Sequence, residues 1–530
     1  MWPIQLLLNE LPFDIRFHEL IVGALWFGIQ HPPAHLFIKT FVDAFNNIGS
    51  IPWQHAGRTM MSHVYAVCCC VDSAARAALL NMKQFNGYFG CSWCLEEGTV
   101  VDGVLRYIPS RSPAPARTHR SLLNDMQEAF QRGVPSHGVK GPSPLIQLPG
   151  FNLVWCVPPD VMHCVLEGVT RQLTELWLSA VGQAYYIGRH IRELDDSILK
   201  MRPPMSFCRL PRRLSDRAHW KATEWMYWLL FYSLPCLRGV LPTAYFNHFT
   251  MLCQAVFTLL QASVTDANLE EAEELLSSFV ARVYTLYGAS AATFNVHQLL
   301  HITKSVEMLG PLWGTSTFPF ENGNGQLVKL VKAAQGVPLQ IAERCIMKSW
   351  LSTAAKFVEL SPSLQSRKSD IVNAQTIVQI QACVLGAPLL SMQVSSSVEE
   401  LFIEKYGRVP SMTHYSRFAA NAVKFHTTSY ARATKTCSSC VKMRDGSYCL
   451  LSDICSALLE TRKILLVSEE IILSECRFPN VNICISAIAL LREETSSCIR
   501  KMMCLLSACS LKEQTPVMCA RFQTHTGLTD

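Results

Sequence analysis

The run over residues 64–71, Val-Tyr-Ala-Val-Cys-Cys-Cys-Val, constrains this chain most. Eight apolar, β-compatible residues in a row read as a strand buried on both faces, which needs packed layers on either side. Asp72 ends the run, and residues 73–82 are Ala-rich and read as a helix. Upstream, residues 3–8 and 20–26 are strand candidates, with Pro12 and Asp14 as turn residues between them. Leu36, Phe37, Phe41, Val42 and Phe45 recur at helical spacing over 35–47. The order β-β-α-β-α predicts an α/β fold, a mixed sheet with helices packed on it.

Beyond this core, residues 98–147 carry Pro109, Pro113, Pro115, Pro135, Pro142 and Pro144 among Arg and Ser, and read as an extended loop. A buried strand is predicted over 151–157, then a helix from Val161. Residues 165–290 read as a helical insertion, with amphipathic segments near 165–180, 223–233, 250–262 and 267–287. Between them lies a basic stretch with Arg202, Arg209, Arg212, Arg213, Arg217 and Lys221. Residues 291–345 form a returning helical unit, broken at Gly310-Pro311 and Phe318-Pro319. The organisation is therefore 1–164 core, 165–290 insertion, 291–345 returning unit and 346–530 a small accessory region. That last part reads as short-stranded, with Arg432, Lys435, Lys442 and Arg444 around Cys437 and Cys440, and after about 463 as a relic or a different reading frame.

Twenty-two cysteines raise the question of a disulfide framework. A chain of 530 residues buries enough core without one, and no basic n-region precedes the first apolar run. Free thiols in a reducing compartment are the plain reading. The uncharged stretch 20–38 is broken by His31, Pro32, Pro33 and His35, which argues against a membrane span. Charged residues at 17% exclude an intrinsically disordered chain, and a net charge of +6 permits a polyanionic partner. No P-loop, dinucleotide fingerprint, G-x-S-x-G or H-E-x-x-H is present.

Four constellations can carry chemistry. Asp72 sits where the buried run meets a helix, a place for a metal-binding acid and equally for a plain helix cap. Cys91 and Cys94 form a C-x2-C knuckle behind Gly87 and Gly90, half of a tetrahedral zinc site. His297 and His301 share a helical face and fit the other half, though two ordinary helix histidines read the same way. Cys437 and Cys440 have no histidine pair near them in sequence and read as buried thiols. Asp160 and His163 stand at a helix mouth, as an acid–imidazole pair or as a cap with a packed ring. Glu321, flanked by Phe318 and Phe320, reads as a partly desolvated carboxylate or a helix-start Glu.

Taken in order, these residues resemble the CACTA (En/Spm) type of DDE transposase. The resemblance rests on Leu-Asn-Glu-Leu-Pro near the start, Asp72 followed by Ser-Ala-Ala-Arg, and Phe-Gly-Cys91-Ser-Trp-Cys94. It continues through Pro-Asp160-Val-Met-His163-Cys, Val-His297-Gln-Leu-Leu-His301, and Gly-Pro-Leu-Trp with Phe-Pro-Phe-Glu321, over roughly residues 1–345. The V(D)J recombinase catalytic subunit is similar in its order of Asp, C-x2-C, His pair and Glu. The resemblance implies an RNase H-like core with an all-helical insertion, and an Asp-Asp-Glu triad holding two Mg2+ or Mn2+ ions. Asp72 would be its second acid and Glu321 its third, with Asp160 and His163 close by. Cys91, Cys94, His297 and His301 would hold a structural Zn2+. Double-stranded DNA at transposon ends, a homo-oligomer and a nuclear location are implied too, with the basic stretch as the DNA contact.

One departure bears on activity. The triad's first acid belongs on a first core strand, upstream of the segment that opens this sequence, and Glu10, Asp14 and Glu19 are poor substitutes. The expectation is a transposase-derived, DNA-binding protein, catalytically impaired as it stands. The alternatives are an active transposase read short at its N-terminus and a co-opted interaction protein with no nucleic-acid function.

Overall fold

The computed structural model describes residues 1–357 except 18 and 111. Beyond these it describes 361, 363, 378–380, 383–386, 388–389, 396–420, 423–430, 435–442, 448–458, 462–471 and 499–506. It is a mixed α/β protein with small antiparallel sheets and a large helical body. Strand β1 (Trp2–Leu6), the short helix α1 (Phe13–Arg16) and β2 (Ile21–Trp26) come first, and β1 pairs β2 with a bulge after Ile4. Helix α2 (Ala34–Asn46) buries Ile38, Val42 and Phe45 at i, i+4, i+7; of the residues read at helical spacing, Val42 and Phe45 lie on this stripe while Leu36 is exposed. Trp26 and Phe37 meet edge-on, and Phe41 packs beside Gly23, so α2 lies across β2.

Next is a hairpin that the apolar pattern hides: β3 (Ser50–His55) and β4 (Arg58–His63) pair through a two-residue turn. Ala56 and Gly57 both have positive φ there, at 48° and 75°. That is the backbone a tight hairpin requires.

The central strand expected over 64–71 is not formed. A strand exists by pairing, whereas this run's Cys69 N–H reaches Cys156 O, at 2.7 Å, in an irregular segment. Val64, Ala66, Cys69 and Val71 still pack inward while Tyr65 and Val67 face out, so apolar content read as two-sided burial is one-sided. Helix α3 (Ser73–Leu79) then starts on Asp72, as expected.

Residues 98–147 are not an extended loop. They fold into a hairpin, β5 (Thr99–Val101) and β6 (Val104–Arg106), and a helix, α4 (His119–Arg132). Thr118 and Ser121 cap α4 reciprocally, and Gly133 closes it at φ 67°. The prolines punctuate capped elements rather than marking open chain. The strand expected over 151–157 is also absent. Phe151, Leu153, Val154 and Val157 are buried, but Asn152 Oδ1 accepts from Val154 and Trp155 N–H and coils the segment.

The helical insertion follows its sequence pattern. A π-helical segment (Val161–Thr170) runs into α5 (Arg171–Ser179), followed by α6 (Ile191–Lys200) and α7 (Ala222–Tyr227). A π turn (Trp228–Tyr232) leads to α8 (Ser233–Leu237), then α9 (Thr243–Leu259) and α10 (Asp266–Tyr287). Trp177, Trp225, Trp228, Phe249 and Phe279 lie at the centre of its core. Helix α11 (Phe294–Leu309) is shared, with Phe294 in the core around the cysteine knuckle and Val296, Leu299 and Ile302 in the insertion core. Helices α12 (Phe318–Leu330) and α13 (Val337–Phe357) complete the returning unit.

The accessory region is β-rich, as read. Val423–His426, Arg417–Ala420, Cys383–Leu385 and Val378–Ile380 form one antiparallel sheet. Cys440–Lys442, Tyr448–Leu458, Arg462–Ile471 and Ile499–Leu506 form another, with Met412–Tyr415 beside Tyr448–Leu458. Arg432 and Arg444, and most of the tail after 471, lie outside the described residues. Among the described residues no helix is long and apolar enough to cross a membrane.

Candidate metal centre and the neighbouring acids

Cys91 and Cys94 follow α3 on a knuckle that Gly90 makes possible: a Cβ there would sit 2.4 Å from the Gln84 carbonyl oxygen. His297 and His301, one turn apart on α11, face the knuckle across 203 residues of sequence or more. Cys91 Sγ lies 3.4 Å from His301 Nε2, Cys94 Sγ 3.3 Å from His297 Nε2, and the two Nε2 atoms are 3.3 Å apart. A tetrahedral zinc with bonds of ~2.3 Å to sulfur and ~2.05 Å to nitrogen has edges of ~3.5 Å for S···N and ~3.3 Å for N···N. The four donor atoms, all within 4.8 Å of one another, therefore have the spacing of a ligand set for one metal ion, compatible with zinc. Both cysteines and His297 are buried, which suits a closed structural site.

The electrostatics agree. Burial pushes the Cys91 thiol up, but its hydrogen bond with Cys94 and the nearby His301 and His297 outweigh this, leaving it well below the ordinary thiol range. Cys94 is pushed up by the same hydrogen bond and by burial, with the Glu96 backbone N–H opposing. A metal ion bound by the two sulfurs would favour their deprotonated forms.

Three residues around the cluster had no clear sequence signal. Arg117, buried at 2% exposure, donates through Nε to Cys91 O (3.0 Å) and Cys94 O (3.1 Å). It also reaches His137 O (2.6 Å) and pairs with Asp125 at 3.1 Å. The Arg76 guanidinium lies 4.2 Å above the Trp93 ring, and burial lowers its pKa to about 10. Tyr107 stacks on His297 at 5.0 Å and donates to Phe85 O, fixing the imidazole plane.

The acids lie on the elements next to this cluster. Asp72 caps α3, its Oδ1 accepting from Ala75 N–H at 2.7 Å. Arg76 and Ser73 on α3 both bond Gln298 on α11, between the two histidines. Asp160 is buried and fully engaged: Oδ1 accepts from Thr317 N–H, and Oδ2 from the Thr317 hydroxyl and His163. Thr317 precedes α12, so this carboxylate ties the π segment to the helix that carries Glu321. Thr317 was not singled out from sequence, although it stands directly before the Phe-Pro-Phe-Glu motif. Burial alone would lower the His163 pKa, but Asp160, helped by Asp72 and Glu167, raises it.

Glu321 is exposed in the first turn of α12, which makes it the helix-start Glu of the two sequence readings and not the partly desolvated carboxylate. Among the described residues, Asp72, Asp160 and Glu321 do not form a cluster of metal ligands, so no step is assigned to a catalytic Mg2+ or Mn2+. In the basic stretch, Arg217 pairs with Glu175 at 2.8 Å, Arg212 with Glu224 at 3.3 Å and Arg213 with Asp195 at 4.0 Å. Lys221 donates its backbone N–H to Glu224, and Arg202 and Arg209 lie in the irregular segment before Leu214. The accessory region touches this segment, Cys437 N–H donating to Pro203 O and the Ser438 hydroxyl accepting from Met205 N–H.

No known protein-family model matches the chain, and no curated protein does either.

Proposed function

We propose that this is a transposase-derived protein of the CACTA type, with an RNase H-like core and a helical insertion, which binds duplex DNA and does not cleave it. The observation that carries the reading is the Cys/His cluster. Its knuckle lies 19 residues after Asp72 and its histidine pair ends 20 residues before Glu321, so one metal ion would tie together the elements bearing both acids. Zinc bound there would supply structure rather than reactivity, since all four positions come from the protein.

The lack of cleavage follows from the acids. Asp160 has both oxygens committed to Thr317 and His163 and serves as a brace. Among the described residues, Asp72 and Glu321 share no cluster of metal ligands, whereas two-metal cleavage needs acids converging on both ions. DNA contact would come from Arg202, Arg209, Arg212, Arg213, Arg217 and Lys221 acting on phosphates, without base specificity. Such a protein would work in the nucleus.

The engagement of Arg212, Arg213 and Arg217 by local acids favours a second reading, an interaction protein without nucleic acid. A salt titration of duplex binding separates the two. Affinity that falls steeply with salt, and falls further in Arg202→Ala with Arg213→Ala, supports the DNA reading; no binding at low salt sinks it. A nicking assay with Mg2+ or Mn2+ should give no product. Cutting that is abolished by Asp72→Asn would overturn the assignment as inactive.

A further inference from the structure

Cys68, Cys69 and Cys70 lie in the segment that delivers Asp72, and none belongs to the Cys/His cluster. Cys69 is held from behind, its N–H donating to Cys156 O at 2.7 Å. Its two neighbours meet on one side, with Cys68 Sγ and Cys70 Sγ 3.8 Å apart. All three residues are part-exposed. A disulfide is ~2.05 Å long, so the two sulfurs need to close by about 1.8 Å. Alternate residues of an extended chain are ~6.6 Å apart at Cα, near the ~6.8 Å upper limit for a disulfide. Joining this pair therefore draws the segment in, against the Cys69–Cys156 bond on one side and the Asp72 cap of α3 on the other.

We infer that Cys68 and Cys70 form an oxidisable dithiol, a modification site whose closure to a disulfide shifts the segment leading into Asp72. A small-molecule disulfide such as oxidised glutathione is the oxidant. One cysteine thiolate attacks a glutathione sulfur, the glutathione S–S bond breaks, and one glutathione thiolate leaves. The other cysteine thiolate then attacks the protein sulfur of the mixed disulfide and expels the second glutathione. Two cysteines lose two electrons to the glutathione disulfide, and the two thiol protons end on the two glutathione thiols. The inference does not rest on the DNA reading, because the link forms whether or not Asp72 serves DNA.

The test uses the full chain in glutathione buffers of increasing oxidised fraction, alkylated and digested with trypsin without reduction. No Lys or Arg lies between Arg58 and Arg76, so the three cysteines share one peptide. The expected peptide has lost two hydrogens and carries one alkyl group, at Cys69. The link persists in Cys69→Ser and is lost in Cys68→Ser and Cys70→Ser, with the alanine variants guarding against a folding defect peculiar to serine. On oxidation, the amides of Cys69 and Ala75 lose their hydrogen-exchange protection. Three alkylated cysteines across the whole range overturn the inference, as does a link that uses Cys69 or Cys156. So does a Cys68–Cys70 link that leaves exchange at Cys69 and Ala75 unchanged.

Discussion

Replacing Arg117 with Met tests how the knuckle is held. The side chain is fully buried, and the substitution keeps its apolar stem while removing every donor. Four carbonyls lose a partner, those of Phe89, Cys91, Cys94 and His137, and Asp125 loses its guanidinium. Removing one partner of a buried pair costs about 3–5 kcal/mol. Asp125 retains the Ser136 hydroxyl at 3.2 Å and His137 Nδ1 at 2.8 Å, which places the loss near the lower end. The knuckle carbonyls sit directly behind the sulfurs, so zinc affinity should fall about 10–100-fold. Urea unfolding measures the first quantity and competition with a zinc-binding dye the second. Lys at this position cannot make the fork and should rescue little. A variant within about 1 kcal/mol of the parent that binds zinc equally well would refute the assignment of Arg117 as the brace of the knuckle.

Three further outcomes follow. The purified chain should carry one zinc, lost with stability in Cys94→Ser or His301→Ala, and zinc unaffected by either change refutes the site. Gly90→Ala drives a Cβ into the Gln84 carbonyl and should cost about 1–3 kcal/mol, read as a lower melting temperature and weaker zinc retention. His163→Gln should show a pH-dependent deficit: the folded-state pKa is raised, so the native advantage is complete below about pH 6.5 and disappears as pH rises through the raised value. A parent–variant stability gap that is flat or grows toward alkaline pH would refute the Asp160–His163 pairing.

Much of the helical architecture was legible because its signal is local. Val42 and Phe45 on α2 recur at helical spacing and are buried, which needs no knowledge of any neighbour to read. The Cys and His pairs were legible because their spacings within each half match a ligand geometry, though only the fold brings the halves together. The runs 64–71 and 151–157 misled for a shared reason. Apolar content reports burial, whereas a strand also needs a partner for its backbone, and Asn152 redirects the second run with a single side chain. Arg117 was invisible because a buried arginine is defined by the carbonyls that surround it, which come from residues as far apart as Cys91 and His137. Glu321 is the helix-start acid that its sequence also allowed, exposed in the first turn of α12 while Phe318 turns inward.

The pairing of Cys94 with His297 also bears on the order of assembly. A contact spanning 203 residues is slow to form from an open chain, and its closure entropy is large. The insertion has a core of its own and shares α11 with the knuckle, so folding of that body is expected to bring the histidines toward the cysteines. Once that body is folded, the number of residues in its surface turns hardly matters to the clasp, since doubling a flexible loop adds only about 0.6 kcal/mol. The turns at 180–184 and 261–264 are therefore where this architecture accepts added sequence, from an engineered tag to a whole further domain, while the clasp stays shut.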